Sequence, residues 1–106
     1  MSEFIIVYVT VSSKGEAEKI ANALLADHLI ACVNIIGPVF SRFHWAGEID
    51  SSEEYMMVMK TSLGLFSALE KRIKGLHSYE VPEIIAVPIV KGSTSYLNWM
   101  SISLKY

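Results

Sequence analysis

The chain of 106 residues has a net charge of −2, with nine basic and eleven acidic residues, and it contains one cysteine. This length is that of one domain, and a single cysteine excludes an intrachain disulfide and a CxxC metal knuckle. Because there is no basic surplus, binding to the phosphate backbone of a nucleic acid is not expected. Apolar residues make up 52% of the chain, which is high for a small protein and predicts that a partner subunit covers part of its surface.

The first element is an apolar, β-branched stretch, FIIVYVTV, at residues 4–11. Its composition predicts a central strand that is buried on both faces. The stretch is too short to cross a membrane, which takes about 20 apolar residues, and Glu3 before it is unlike the basic start of a signal peptide. A soluble, cytoplasmic protein without membrane insertion is therefore expected.

A helix is predicted next, from the capping-box spacing of Ser13 and Glu16 to an end near His28. Its apolar stripe consists of Ala17, Ile20, Ala21, Leu24 and Leu25.

Two long strands joined around Ala46-Gly47 follow the helix, and Gly37-Pro38 interrupts the first of them, which predicts a bulge. A strand over residues 30–45 would be about 50 Å long at ~3.3 Å per residue, whereas a domain of this size has a radius of gyration of about 13 Å. The outer half of this hairpin carries Phe40, Phe43, Trp45, Ile49 and Tyr55. Since these side chains are poorly suited to water, we predict that the hairpin lies against a neighbouring subunit and that the chain is an oligomer.

A second helix is predicted over TSLGLFSALEKRIKGL, residues 61–76, with Thr61 or Ser62 as its cap and Gly75 as a natural stop signal near its end. Its apolar face consists of Leu65, Phe66, Leu69, Ile73 and Leu76. The last strand contains Pro88, which places it at a sheet edge, and a short helix ends the chain. The order β-α-β-β-α-β with a tail helix predicts an α+β fold, a ferredoxin-like sandwich that forms a single domain over residues 1–106. Its first and third strands are expected at the centre of the sheet.

The segment LHSYEVPEI, residues 76–84, brings His77, Tyr79 and Glu80 together just before Pro82. A residue before proline is driven towards extended geometry, so the segment is predicted to connect a helix to a strand. In one interpretation His77 caps the last helical carbonyls and Glu80 pairs with a nearby base. In the other, both side chains line a pocket at a subunit boundary.

Cys32 also has two interpretations, as a small buried side chain or as a soft metal ligand that joins His77 in a site for copper(I) or zinc. Two ligands from one chain are too few for a closed site, although an oligomer supplies more. The acidic residues Asp50, Glu53 and Glu54 form with Lys60 either an acid–base set or, as strand charges in a hairpin usually do, a solvated face. The sequence contains no catalytic triad order, no HExxH and no phosphate-binding glycine loop, so an enzyme is not expected.

Several stretches together resemble the divalent-cation tolerance family, called CutA: LIACVNI, WAGEI, MKT, HSYEVPEI and YLNW. The resemblance implies a ferredoxin-like fold assembled as a homotrimer with interlocking hairpins, similar in architecture to the PII signalling proteins. It also implies a role in tolerance of copper and other divalent metals, with a copper site proposed on cysteine and histidine. Cys32 and His77 stand at those two positions, and Ser78 stands where the family motif has a proline. Other matching positions are Trp45, Gly47, Lys60, Tyr79, Glu80, Pro82, Glu83, Tyr96 and Trp99.

The first functional hypothesis is a non-enzymatic homotrimer of metal homeostasis that requires no cofactor and binds copper or another divalent ion weakly through Cys32 and His77. The alternative is a trimeric sensor or scaffold without a physiological metal. Its small ligand or protein partner would occupy a cleft between subunits lined by Trp45, Lys60, Tyr79 and Glu80. Binding of RNA, which this strand order also permits, needs exposed aromatics and a basic face that the sequence lacks.

Overall fold

The structure is a computed structural model that describes residues 3–105. It contains one antiparallel sheet of four strands in the spatial order β2-β3-β1-β4. The strands are β1 (Phe4–Val11), β2 (Cys32–Trp45), β3 (Glu48–Ser62) and β4 (Ile85–Pro88). The helices are α1 (Lys14–Ala26), α2 (Phe66–Leu76) and α3 (Thr94–Ser103). The predicted α+β, ferredoxin-like arrangement is confirmed, with β1 and β3 at the centre and the strand of Pro88 at an edge.

The core lies between the sheet and the helices α1 and α2. Alternate residues of β1, beginning with Ile5 and Val7, point into it and are at most 4% exposed. They pack against the apolar stripes predicted for the two helices, including Ile20, Leu24 and Ile73. The prediction that β1 is buried on both faces is wrong for the single chain, because α1 and α2 cover one face only and Phe4, Ile6 and Tyr8 on the other face stay half-buried.

Helix α1 begins at the predicted cap, where Ser13 Oγ accepts a hydrogen bond from the Glu16 backbone N–H at 3.1 Å. Glu16 does not return this bond to Ser13, because its carboxylate accepts from the hydroxyl of Ser12 instead. The helix ends close to the predicted position, with Asp27 as its C-cap and His28 at a φ of 56°. His28 is exposed, and its Nδ1 lies 3.1 Å from the Ser103 carbonyl oxygen. This contact joins the end of α1 to the end of α3.

Helix α2 has the predicted apolar face and ends at Leu76 as predicted, but its predicted start is wrong. Thr61 and Ser62 belong to β3, and a 3-10 turn, Leu63–Leu65, separates them from the helix, which has no side-chain cap. The Thr61 hydroxyl donates instead to the Leu29 carbonyl at 2.7 Å in the core. At the other end the helix continues through Gly75 to Leu76, because Gly75 has ordinary helical geometry and only the Pro82 segment beyond it is extended.

Strands β2 and β3 pair along their whole length, from Cys32 opposite Lys60 to Trp45 opposite Glu48. The register of the pairing shifts between Ile36 and Val39, which is the bulge predicted from Gly37-Pro38. A Cβ on Gly37 would meet the Tyr55 ring at 2.5 Å, so the ring fills the space that a side chain would need. The turn has positive φ at both Ala46 (53°) and Gly47 (80°), which suits a two-residue hairpin connection.

The molecule measures 44 × 26 × 22 Å along its principal axes, and the outer half of the hairpin is largely exposed. Phe40, Trp45 and Ile49 are 69%, 59% and 64% exposed there. Among residues 3–105, no helix has the length and apolar character that a membrane crossing requires.

Candidate functional site

His77 is a buried link between α2 and the end of β1. It is the C-cap residue of α2, and its side chain has no exposed surface. The Tyr79 backbone N–H donates to Nδ1 at 2.9 Å, and Nε2 lies 2.8 Å from the Thr10 carbonyl. Because Nδ1 accepts, Nε2 must carry the proton that is donated to Thr10. Both ring nitrogens are thus used within the fold, and the backbone N–H, rather than the side chain, caps the helix by bonding to Ile73.

Glu16 holds the loop after His77 in place. Its Oε2 accepts from the Ser78 backbone N–H at 2.8 Å, and its Oε1 accepts from the Ser78 hydroxyl at 3.0 Å. Burial alone would raise the pKa of Glu16, but the hydrogen bonds from Ser78 and Ser12 outweigh it and lower this pKa below its ordinary value of 4.5. Ser78 therefore supplies two hydrogen bonds to Glu16, and a proline in its place would have no N–H to donate for the first of them.

Tyr79 connects this loop to the hairpin. Its ring packs against His77 with centroids 4.8 Å apart, and its hydroxyl donates to Oε2 of Glu54 at 2.8 Å. Burial, together with the hydrogen bond to the Glu54 carboxylate, raises the pKa of Tyr79 to about 12. Glu54 is itself only 6% exposed, whereas its neighbour Glu53 is exposed.

The burial of Glu54 was missed by the sequence prediction of a solvated face. A signal for it exists, because alternation along the strand places Glu54 on the same face as Met56 and Val58.

A groove of about 760 Å³, which we call the hairpin groove, opens beside the Tyr79–Glu54 pair. It lies between the end of β1 at Thr10, the outer half of the hairpin, and the segment 79–83. It is lined by the aromatic residues Phe43, Trp45 and Tyr79, by Arg42 and by four acidic residues, Asp50, Glu54, Glu80 and Glu83. Its volume lies within the range of small-molecule sites, about 300–1,000 Å³.

Three of the four residues predicted to line a ligand cleft meet in this groove: Trp45, Tyr79 and Glu80. The fourth, Lys60, lies elsewhere, on the part of the sheet where β2 begins. Its ammonium group contacts Asn34 Oδ1 and lies 3.8 Å from the Cys32 sulfur. Burial and the adjacent Cys32 thiol raise the pKa of Tyr96 above its ordinary value.

Cys32 and His77 do not meet within one chain. In the sheet, Cys32 lies opposite Lys60 of β3, and Lys60 lies opposite Ile6 of β1. His77 bonds to β1 at Thr10 instead. Ile6 and Thr10 are four residue steps apart along the strand, which is about 13 Å at ~3.3 Å per residue. Both nitrogens of His77 are also engaged, so a metal ion there would have to displace the Tyr79 N–H or the Thr10 carbonyl.

The donor groups of one chain therefore do not fit a copper site. Within residues 3–105, no three His, Cys, Asp or Glu side chains converge closely enough to hold a metal ion. A metal site that used Cys32 and His77 together would have to draw them from different subunits.

Comparison with known proteins assigns the chain to a family. The family described as CutA1 divalent ion tolerance protein matches residues 5–103. The divalent-cation tolerance protein CutA of Thermus thermophilus is 42% identical over 95 residues, which are 90% of this chain and 92% of that protein. The chloroplastic protein CutA of Arabidopsis thaliana is 39% identical over 101 residues, which are 95% of this chain and 56% of that longer protein.

A solved structure agrees with the sequence comparisons. The crystal structure of CutA1 from Oryza sativa matches with a TM-score of 0.95 at 37% identity, over 97% of this chain and 94% of that one. The family is named for tolerance of divalent ions rather than for a catalysed reaction. The agreement of fold and sequence along almost the whole chain confirms the resemblance seen in the motifs, and the chain therefore belongs to the CutA divalent-cation tolerance family.

Proposed function

We propose that the protein acts in divalent-cation tolerance as a cytoplasmic homotrimer that catalyses no reaction. The observation that carries this proposal is the family match over residues 5–103, which includes the hairpin and the loop after α2. Tolerance in this proposal comes from the assembled protein, which binds a ligand or partner and requires no cofactor.

Assembly is supported by the surface of the single chain. Three apolar side chains of the outer hairpin are more than half exposed, as are Ile85 and Val90 at the other edge of the sheet. The edge strands β2 and β4 each have a neighbour on one side only, so their outer backbone groups are available to another chain. An exposed apolar hairpin beside an open sheet edge favours strand pairing between subunits.

The oligomeric state is tested by light scattering across a gel-filtration peak. We expect a mass of three chains of 11.8 kDa each. The matched variants are Ile49→Lys, which places a charge on the apolar hairpin, and Ser51→Lys, which places one on a polar position of the same strand. Dissociation with Ile49→Lys alone supports the proposal, and a monomeric wild type rejects it.

The tolerance role is tested in a host strain that lacks the gene for this protein. Growth is measured over a series of copper and zinc concentrations, with and without the gene restored on a plasmid. We expect restoration to raise the metal concentration that halves growth. Equal growth of the two strains at every concentration of both metals rejects the tolerance role.

The Cys32–His77 metal site stays a prediction. Its test is calorimetry with copper(I) and copper(II) on the wild type, Cys32→Ser and His77→Gln. If copper uses these residues, both substitutions weaken binding, and an unchanged affinity in both excludes the pair.

A second function, a sensor or scaffold that binds a small ligand, is supported by the hairpin groove. Its volume of about 760 Å³ and its three aromatic rings are those of an organic-ligand site rather than of a bare ion. In this case the groove, and no metal-binding residue, would be the site on which function depends.

A further inference from the structure

The outer half of the β2–β3 hairpin, residues 39–54, is acidic as well as apolar. It contains one basic residue, Arg42, and four acidic residues, so its net charge is −3. The acidic residues are Glu48, Asp50, Glu53 and Glu54. Within residues 3–105, no ion pair neutralises any of these five side chains. A surface that covers the apolar side chains of the outer hairpin must therefore also lie close to this negative charge.

A second exposed apolar surface lies on β4 and α3. Residues 84–105, which we call the tail surface, include Val90 and Ile102, which are 86% and 83% exposed. They contain no aspartate or glutamate and two lysines, one of which is Lys91, so their net charge is +2. Glu3 borders the hollow between β4 and α3, and counting it leaves a net charge of +1. The tail surface is thus apolar like the outer hairpin but opposite to it in charge.

The sheet keeps these two surfaces apart within one chain. Strands β2 and β4 form opposite edges of the sheet. The pairing of β3 with β1 reaches only to Tyr55 opposite Val11, so residues 39–54 lie beyond the end of β1. Strand β4 pairs with the other part of β1, Ile5–Tyr8. A contact between an outer hairpin and a tail surface therefore has to join two copies of the chain.

Contact between two outer hairpins would be less favourable. A two-fold interface places the same surface of each chain against itself. Two surfaces with a net charge of −3 would then face each other, and like charges across an interface are destabilising. A head-to-tail contact instead joins the negative hairpin to the positive tail surface and covers apolar side chains of both. Such contacts close into a ring where the rotation between neighbouring chains allows it, and a rotation of one third of a turn gives a trimer.

We propose that the outer hairpin of one subunit docks on the tail surface of the next, with Lys91 against the carboxylates of the hairpin. This inference rests on the homotrimer of the proposed function and identifies the two surfaces that join. Lys91 directly follows the exposed Val90, so an apolar contact at Val90 brings the ammonium group to the hairpin. Charge gives the assembly its direction, because opposite charges meet only when a hairpin faces a tail surface.

Charge reversal at Lys91 tests the contact, and Lys71→Glu is the matched control. Lys71 is exposed on α2, outside both surfaces. The mass of the full chain is followed by light scattering in a dilution series, at a guanidinium chloride concentration at which the wild type begins to dissociate. We expect Lys91→Glu to raise the concentration at which half of the chains dissociate about tenfold or more. Lys71→Glu should leave this concentration within about twofold of the wild-type value.

Cross-linking with a carbodiimide tests the same contact in the unchanged protein, because this reagent joins an ammonium group to a neighbouring carboxylate as an amide. Trimers are assembled from equal amounts of isotope-labelled and unlabelled chains, so that mass spectrometry distinguishes links between chains from links within one. We expect Lys91 to be joined to Glu48, Asp50 or Glu53 of a different chain. Lys71 should form no link to the hairpin of another chain.

The two measurements separate this inference from the homotrimer itself. A trimeric wild type in which Lys91 forms no link to a hairpin carboxylate overturns the head-to-tail contact and leaves the homotrimer intact. Equal dissociation of Lys91→Glu and Lys71→Glu has the same consequence. A monomeric wild type rejects the homotrimer and the contact together.

Discussion

Replacing His77 by phenylalanine tests whether this side chain is part of the folded framework. Phenylalanine fills the space of the imidazole but leaves the Thr10 carbonyl and the Tyr79 N–H without their partners, which lie at 2.8 and 2.9 Å in the native protein. Each unsatisfied buried group costs about 1–3 kcal/mol, so we expect the two groups left by His77→Phe to lower the free energy of unfolding by about 2–6 kcal/mol.

A second substitution at the same position sharpens this expectation. The amide N–H of His77→Gln can still donate to Thr10, but its carbonyl oxygen lies one atom further from the backbone than Nδ1 does and is badly placed to accept from the Tyr79 N–H, so about half of the loss should remain. His44→Gln, at an exposed position near the hairpin tip, is the control and should change the free energy of unfolding by less than about 0.5 kcal/mol.

The assay is unfolding in guanidinium chloride, followed by circular dichroism at one fixed chain concentration, since the midpoint of an assembled protein depends on concentration. A loss below about 1 kcal/mol for His77→Phe would contradict the reasoning, because water or a shifted backbone would then satisfy both groups. The histidine would in that case be free to act as a ligand.

Three further predictions follow from the same contacts. Because the pKa of Tyr79 is raised to about 12, its contribution to stability is complete below its ordinary pKa of 10 and is lost as pH rises towards 12. Tyr79→Phe should remove this alkaline loss, measured as the slope of unfolding free energy against pH, and an unchanged slope would contradict the raised pKa. Because the pKa of Glu16 is lowered, its contribution is complete above 4.5 and is lost as pH falls below that value, so Glu16→Gln should flatten the acid limb of the same curve. Gly37→Ala should destabilise the hairpin by about 1–3 kcal/mol, because the added Cβ would meet the Tyr55 ring. Gly15→Ala, which has open space around it, serves as the control. Equal unfolding midpoints for the two variants would show that the Tyr55 ring moves aside.

The fold was predictable because its signals repeat along the chain. The strand of residues 4–11, the cap at Ser13 and the turn at Ala46-Gly47 each follow from local composition and spacing, and the structure has all three where expected. The error in α2 lies at its start, where a hydroxyl at Thr61 looks like a helix cap in the sequence. Its actual partner, the Leu29 carbonyl, is 32 residues away, and local spacing cannot reveal it.

The candidate site was predicted only in part, because local sequence reveals some of its residues but not their partners from distant parts of the chain. Tyr79 and Glu80 stand out because they precede a proline, and the structure places them in the groove with Trp45. The hydrogen-bond partner that helps to raise the pKa of Tyr79 is Glu54, 25 residues earlier. In the sequence, Glu54 belongs to acidic residues that were predicted to form a solvated face. Likewise, pairing Cys32 with His77 was a choice of residue types, and the strand register keeps the two apart in one chain.

The contact between Glu16 and Ser78 has a consequence for the order of folding. It joins residues 62 positions apart and can form only after α2 has docked beside α1, because both helices must be in place to align the carboxylate with the loop. Closing so long a loop early would cost chain entropy with little return, so we expect the contact to be absent from the folding transition state. Ser78→Ala should then accelerate unfolding and leave the refolding rate almost unchanged, as read from the two limbs of a chevron plot. A slower refolding limb would place this contact in the folding nucleus instead. If the contact forms late, the loop after α2 is held by bonds that determine how long the native state persists, and not how quickly it is reached.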